Sequence, residues 1–280
     1  MEAYIVKGYR TAVGKSSRGS FKFKRPDELA AETIQGLMKA VPELDPTRID
    51  DLIVGNAMPE AEQGLNVGRL ISLMALDTVD VPGMTVNRYC SSGIETIALA
   101  TAKIKNGMAD CIIAGGVESM SRAPFVMPKA TTAFTRANAV YDTTIGWRFI
   151  NSKMKQMYGV DSMPQTADNV AVDYNINRED QDAFAARSQA KWAAANEAGV
   201  FADEITPVEV PQRKGDPIIV DTDEHPRPGT DAAKLSKLKG VNGPDLTVTA
   251  GNVSGVNDGA AAILMASESG ARKNGLTPIA

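Results

Sequence analysis

The chain has 280 residues, 43% hydrophobic and 23% charged, enough for one large core or two modest ones. Its 30 Lys and Arg against 34 Asp and Glu give a formal net charge of −4 and a pI near 5.2. That balance gives no electrostatic reason to expect nucleic acid or an anionic membrane as the main partner, although a local basic pocket for a phosphorylated ligand stays open. No stretch approaches the ~18 apolar residues of a spanning helix. The start, Met1-Glu2-Ala3-Tyr4-Ile5-Val6, has neither the charged head and apolar run of a signal peptide nor the Arg/Ser bias of a transit peptide. Two cysteines, Cys90 and Cys111, are too few for a disulfide framework, so a reducing, cytoplasmic setting is expected. One histidine, His225, and no Cys/His cluster leave structural zinc unsupported, and no metal is expected.

Strand and helix patterns alternate over the first 120 or so residues. A strand is predicted over 3–9 and a helix over 27–41, with Ala30, Ile34, Leu37, Met38 and Val41 on one face. A short buried strand at 52–54 precedes a helical pattern over 67–76. A third strand, 84–88, leads to a helix over 94–105 that closes at Asn106-Gly107, and a fourth strand, 111–114, is expected to stop at Gly115-Gly116. Strands separated by helices of this length argue for βαβ units: an α/β fold, mixed but mostly parallel sheet, helices on both faces. From about Ser121 to Thr247 the texture changes. Proline is frequent, a helix is expected over 165–174, and a long helix over 178–198 is capped by Asn177 and ended by Gly199. Strands are expected at 204–210 and 217–220, then an exposed Pro/Gly-rich loop from His225 to Gly229, and the buried-strand pattern resumes at 261–266. The predicted organisation is an α/β domain begun by 1–121, interrupted by an inserted α+β domain, 122–247, and completed by 248–270, with 271–280 as a trailing stub.

The sharpest chemical signal is Thr85-Val86-Asn87-Arg88-Tyr89-Cys90-Ser91-Ser92-Gly93-Ile94. A strand runs directly into Cys90 and a helix starts two or three residues later. A thiol there lies near the positive end of a helix dipole, where the thiolate is favoured. First-turn N–H groups are placed to stabilise an oxyanion, and Gly93 would permit close approach of backbone or substrate. The competing reading is a small apolar thiol that packs a turn; Cys111, among Ile112 and Ile113, fits that description. The run Gly115-Gly116-Val117-Glu118-Ser119-Met120-Ser121 should lie near Cys90 at the carboxyl end of the sheet, but on its own reads as a glycine turn with a solvated Glu118. Asn257-Asp258-Gly259-Ala260 reads first as a cap or turn. His225 reads as a solvated loop histidine rather than a base for Cys90. Arg227, with Arg213-Lys214, is either a phosphate site or ordinary surface charge.

Taken together, Asn-Arg-Tyr-Cys-Ser-Ser-Gly around Cys90, Gly-Gly-Val-Glu-Ser-Met-Ser at 115–121 and Thr-Ala-Gly-Asn-Val-Ser-Gly-Val-Asn-Asp-Gly-Ala at 249–260 resemble the thiolases, acyl-CoA C-acyltransferases. The segments Tyr141-Asp142-Thr143-Thr144-Ile145-Gly146-Trp147-Arg148-Phe149, Asp161-Ser162-Met163-Pro164 and Asp223-Glu224-His225-Pro226-Arg227 are most similar to the 3-oxoadipyl-CoA branch, and the N-terminal third to degradative fatty-acid thiolases of β-oxidation. The resemblance implies that Cys90 attacks a 3-oxoacyl-CoA, releases acetyl-CoA and holds a shortened acyl thioester that CoA resolves. Run backwards, this is Claisen condensation, as in acetoacetyl-CoA-forming biosynthetic members. The resemblance also implies that Cys90 N–H contributes to an oxyanion hole, that the inserted segment holds CoA as substrate rather than as a resident cofactor, and that the protein is a homo-oligomer. By the same resemblance Arg227 lies near the adenine nucleotide, Ser254 near the pantetheine, and Met163 lines the acyl pocket; Ser162 stands where some members carry histidine.

The family's second half, with its Asn-Glu-Ala-Phe and Gly-His-Pro motifs and a second cysteine before a glycine-rich turn, has no counterpart among these residues. The expectation is therefore an N-terminal portion of a thiolase, weak or inactive alone, since loss of a general base costs ~10²–10⁴ in rate. Two alternatives stand beside it: a decarboxylating condensing enzyme of the same superfold, disfavoured by the inserted segment, and a non-catalytic CoA-binding chain or half-subunit that needs a partner.

Overall fold

The computed structural model describes residues 2–280. In chain order the elements are β1 Ala3–Arg10, β2 Gly14–Lys15, α1 Pro26–Lys39, β3 Asp51–Gly55, α2 Val67–Leu76, β4 Gly83–Val86, α3 Ser92–Lys105, β5 Cys111–Ser119, β6 Phe125–Val126 and β7 Tyr141–Asp142. They continue with α4 Ser152–Tyr158, α5 Met163–Asp173, α6 Arg178–Glu197, β8 Val208–Val210, β9 Ile218–Val220, α7 Ala232–Leu235, β10 Asn257–Ser267 and α8 Glu268–Lys273. The chain divides into two compact units. One comprises the chain up to Arg122 with Ala202–Glu224 and Asn257–Ala280; the other comprises Ala123–Phe201 and His225–Val256.

The first unit is built on a six-stranded sheet of order β1-β10-β5-β3-β4, with β2 also paired to β10. β3 runs parallel to β4 and β5, whereas β10 runs antiparallel to β1, β2 and β5. The sheet is thus mixed, and β10 is the strand opposed to all the others. Alternation of side chains along each strand splits the interior into two clusters. Cys111, Ile113, Leu52, Val54 and Leu264 pack with α1 and α2 residues such as Leu29, Ile34, Leu37 and Ile71. Ile112, Ala114, Ile53 and Met265 point the other way, onto Ala100 and Ile104 of α3. Helices on both faces follow directly, as the βαβ reading requires. α1 opens with Pro26 and carries Asp27 and Glu28 in its first turn and Lys39 in its last, matching the helix dipole at both ends.

Three sequence expectations need correction. Gly115-Gly116 does not halt the strand: β5 runs through to Ser119, with Gly115 opposite Ala262 and Gly116 opposite Ala261. A Cβ at Gly115 would collide with the Ala261 carbonyl, and one at Gly116 would lie 3.0 Å from the Gly55 carbonyl oxygen, so these glycines mark close backbone approach within a sheet. Asn257-Asp258-Gly259-Ala260 is the start of β10 rather than a turn. The strand expected at 204–210 shortens to β8, because its first residues serve another partner: Arg10 N–H donates to the Glu204 carbonyl (2.8 Å) and Thr206 N–H to the Arg10 carbonyl (2.8 Å).

The boundaries also differ from a single insertion over 122–247. Segment 202–224 returns to the sheet unit, where Val208, Val210 and Val220 join the core beneath α1. Asp223 accepts from Arg10 Nη1 (2.7 Å) and Val13 N–H (2.8 Å), and Glu224 accepts from the amides of Lys15 (3.0 Å) and Ser20 (3.0 Å) and from Ser20 Oγ (2.5 Å). At the end of the chain, Ile279 N–H donates to the Ile5 carbonyl (2.8 Å) and Ile5 N–H to the Ala280 carbonyl (2.9 Å), so residues expected as a stub are tied to β1.

The second unit is organised by buried carboxylates more than by an apolar core. Asp168, on α5, accepts from Asn242 Nδ2 (2.6 Å) and from the amides of Thr247 (3.1 Å) and Val248 (3.0 Å). Asp182, on α6, accepts from Arg178 Nε (2.8 Å) and Asn252 Nδ2 (3.0 Å), and Arg178 reaches on to the carbonyls of Leu235 and Leu238. A buried acceptor that gathers several donors substitutes for missing secondary structure, since each bonded N–H would otherwise be buried unpaired. Among the described residues, no helix is long and apolar enough to cross a membrane.

Candidate active site

Cys90 lies between the end of β4 and the start of α3, and its side chain is exposed. The turn is tight. Ser91 N–H donates to the Arg88 carbonyl (3.1 Å) and Ser92 N–H to the Tyr89 carbonyl (3.0 Å), and Tyr89 adopts φ +49°, uncommon for a residue with a side chain. The Ser92 hydroxyl closes the turn from inside, accepting from Arg88 N–H (2.9 Å) and donating to the Tyr89 carbonyl (2.6 Å). Asn87 Oδ1 accepts from Tyr89 N–H at 2.9 Å. The thiol is therefore presented to solvent on a strained, over-determined turn ahead of a helix N-terminus, an arrangement suited to a nucleophile. Gly93 has nothing within 4 Å of where a Cβ would project, so within this chain nothing demands glycine there.

Cys111 is buried, and burial, aided by Asp50 and Asp110, pushes its thiol up to about 11. It belongs to the core.

The solvated reading of Glu118 is overturned. Its carboxylate accepts from Ala57 N–H (2.8 Å), Gln63 Nε2 (2.8 Å) and, at longer range, Asn56 Nδ2 (3.3 Å). Burial pushes the carboxyl above its ordinary range, and these donors work in the opposite direction. Asp258 is buried at the neighbouring strand end, accepting from Ser121 Oγ (2.5 Å), Ser121 N–H (2.9 Å) and Ser119 Oγ (3.2 Å). Both motifs at 115–121 and 257–260 thus meet on adjacent strands, where they fasten the loops around the sheet end.

Met163, Arg227 and Ser254 lie in the second unit, all exposed. Met163 is the first residue of α5, behind Ser162, whose backbone N–H is held by Gln165 Oε1 at 2.8 Å in a capping box. Ser162 is therefore a helix cap. Arg227 is fixed through its backbone, its N–H donating to Gln189 Oε1 (2.8 Å), which leaves the guanidinium free of a role in the fold. His225 is half-buried rather than a solvated loop residue: its ring rests on Gly255, next to Ser254, so closely that a Cβ at Gly255 would overlap the imidazole. Periodicity could not find Asn87, Ser92, Asn56 or Gln63, whose roles are long-range or local to a turn; an Asx signal two residues before Tyr89 is the only local hint.

Comparison with known proteins gives the family. The family described as Thiolase, N-terminal domain, matches residues 3–269. This chain belongs to the thiolase family. It is 54% identical over 266 residues to a beta-ketoadipyl-CoA thiolase of Acinetobacter baylyi, covering 95% of this chain and 66% of that protein. It is 48% identical over 277 residues to the 3-oxoadipyl-CoA/3-oxo-5,6-dehydrosuberyl-CoA thiolase of Escherichia coli, covering 99% of this chain and 69% of that one. The crystal structure of human mitochondrial 3-ketoacyl-CoA thiolase in complex with CoA superposes with a TM-score of 0.87 at 33% identity, over 99% of this chain and 67% of that one. The thiolase chain described here thus spans about two thirds of the length of such relatives.

Proposed function

We propose that the protein to which this chain belongs is an acyl-CoA C-acyltransferase that cleaves a 3-oxoacyl-CoA with CoA, and that Cys90 is its nucleophile. The observation that carries this reading is the exposed thiol on the strained 88–92 turn at the start of α3, in a thiolase-family chain. The Cys90 sulfur attacks the C3 carbonyl, the C2–C3 bond breaks, the departing enolate of acetyl-CoA takes a proton, and the acyl group stays on Cys90 as a thioester. The thiol of a second CoA then attacks that thioester, forming the shortened acyl-CoA and returning the Cys90 sulfur. A covalent intermediate divides one difficult exchange into two easier ones. This chain's part in the chemistry is to hold the sulfur exposed on a fixed turn at the start of α3.

Arg227, Ser254 and Met163 are proposed contacts for CoA's adenine nucleotide, its pantetheine and the acyl chain, respectively. Support comes from their exposure within one unit, from the packing of His225 on Gly255 beside Ser254, and from a related structure solved with CoA. For the acyl group the favoured class is a 3-oxo dicarboxylate-derived chain rather than a fatty acyl chain, since relatives at 54% and 48% identity carry the names beta-ketoadipyl-CoA and 3-oxoadipyl-CoA thiolase.

The test is intact mass of the folded chain after incubation with acetyl-CoA, followed by peptide mapping. An acetyl group on Cys90, absent from C90A, is the expected result. A folded chain that binds CoA in calorimetry yet acquires no adduct would replace the nucleophile reading for this chain with that of a CoA-binding half-subunit.

A further inference from the structure

Glu118 is not part of the acyl-transfer chemistry proposed above, yet it is the one acidic side chain in the Gly-Gly-Val-Glu-Ser-Met-Ser stretch, and it is half-buried with its carboxylate hydrogen-bonded on both oxygens. Its partners lead to Cys90 by a continuous path. One carboxylate oxygen accepts from the Ala57 amide at 2.8 Å. On the other side of the same residue, the Ala57 carbonyl accepts from Asn87 Nδ2 at 3.2 Å. The oxygen of the same Asn87 side-chain amide accepts from Tyr89 N–H at 2.9 Å, and Tyr89 is the positive-φ residue immediately before Cys90. The backbone runs beside this path: Asn56 N–H donates to the Val86 carbonyl at 3.0 Å, extending the pairing of β3 with β4. The Glu118 end is itself fixed, because Gln63 donates to the carboxylate (2.8 Å) and to the Met58 carbonyl (2.9 Å) while accepting from Ser119 N–H (2.6 Å).

We infer that Glu118 is a positioning residue for the nucleophile turn, acting through the Ala57 peptide and the Asn87 side chain to hold Tyr89 in its left-handed conformation and so to hold the Cys90 sulfur at the start of α3. A non-glycine residue at positive φ persists only where its surroundings over-determine it. Asn87 supplies that constraint from one side and Ser92 from the other. Asn87 is exposed and would be free to turn were its Nδ2 not held by Ala57. Ala57 in turn sits one residue beyond the last backbone bond between β3 and β4, where its own N–H is held by the carboxylate. A reactive group held within a fraction of an ångström by outer partners loses rate when those partners are removed, by as much as ~10²-fold for a 1 Å displacement.

This inference rests on the reading of Cys90 as the nucleophile, but its test requires only the thiol. The second-order rate of Cys90 alkylation by iodoacetamide is measured on the folded chain by peptide mapping, for native protein, E118A, N87A, the exchanged pair Q63E/E118Q, and I113V. Roughly 10-fold slower labelling is expected in E118A and N87A. N87A should remain folded, because Asn87 is exposed and outside the core. The exchanged pair restores a carbonyl acceptor for the Ala57 amide and a donor–acceptor bond between positions 63 and 118 while giving up the donation from position 63 to the Met58 carbonyl, and should label measurably faster than E118A. I113V, which removes a core methylene distant from the path, should melt earlier while labelling at the native rate. Native-rate labelling in either single variant that folds, or no recovery in a folded exchanged pair, overturns the inference. So does slowing of I113V by the same factor, which would make the effect one of general stability. Absence of acetyl transfer from acetyl-CoA would count against the proposed function alone, since alkylation does not depend on it.

Discussion

Gly55 ends β3 directly under Ser92, the first residue of α3: a Cβ at Gly55 would stand 2.7 Å from the Ser92 carbonyl carbon and 2.8 Å from its oxygen. The strand end and the helix start are therefore fitted to each other with no room for a methyl group. Ser92 also closes the turn that presents Cys90, so a shift of Ser92 would be passed to that turn. G55A should lift the first turn of α3, cost about 1–3 kcal/mol by overpacking, and slow Cys90 alkylation. Denaturant titration and labelling on the same preparation check both effects.

Gly255 and His225 form a comparable fit in the second unit. G255A should displace the imidazole, cost about 1–3 kcal/mol, and weaken CoA binding if Ser254 contacts the pantetheine. The double variant H225A/G255A removes the ring that the methyl group would strike, so its melting temperature should recover relative to G255A. Calorimetry with CoA on both variants separates an effect on the loop from an effect on the ligand.

Asp168 holds three donors from Asn242, Thr247 and Val248 in a buried position, and D168A would leave them without an acceptor. The expected loss is about 3 kcal/mol, in line with unsatisfied buried donors to a charged group. Limited proteolysis should find new cleavage near 242–248 in D168A while the sheet unit keeps its native protection.

The two thiols should differ sharply in reactivity. With its thiol raised to about 11, Cys111 is thiolate in only about one molecule in a thousand at pH 8, and it is buried besides. Iodoacetamide at pH 8 should label Cys90 alone in the folded chain and both cysteines in guanidinium. Rapid labelling of Cys111 without denaturant would contradict its place in the core.

Glu118 also predicts a pH dependence of stability. Its folded-state carboxyl is raised above the ordinary value of 4.5, chiefly by burial. Between the unfolded and folded values the native state binds more protons, so this residue's contribution falls as pH rises from about 4.5 through its folded value. Asp110 and Glu62 act in the opposite sense: hydrogen bonds from Ser267 and Ser269, and from Arg122, lower them, so their stabilisation is present above the carboxylate range and lost on acidification. Denaturant melts at closely spaced pH values above 4.5 should show a less negative slope in E118Q than in native protein. An unchanged slope would mean that Glu118 titrates as it does in the unfolded chain.

Local sequence by itself determined the alternation of strands and helices, the helix over 67–76, the strand-to-helix placement of Cys90, and the three motifs that resemble thiolases. Each of these rests on short-range information: period-2 and period-3.6 burial, caps, and residues adjacent in the chain. Tertiary structure decided the rest. Gly115-Gly116 reads locally as a stop, yet β5 continues because β10, more than 140 residues later, supplies a partner whose carbonyl leaves no space for a Cβ. Glu118 reads locally as solvated, yet a loop some 60 residues earlier delivers the N–H groups that hold its carboxylate. Segment 202–224 reads as part of an insertion, yet Arg10 draws Glu204 and Asp223 back to the sheet. In each case the deciding group is a backbone amide, a carbonyl or a charge distant in sequence, and pattern along the chain carries no record of which distant group will need a partner.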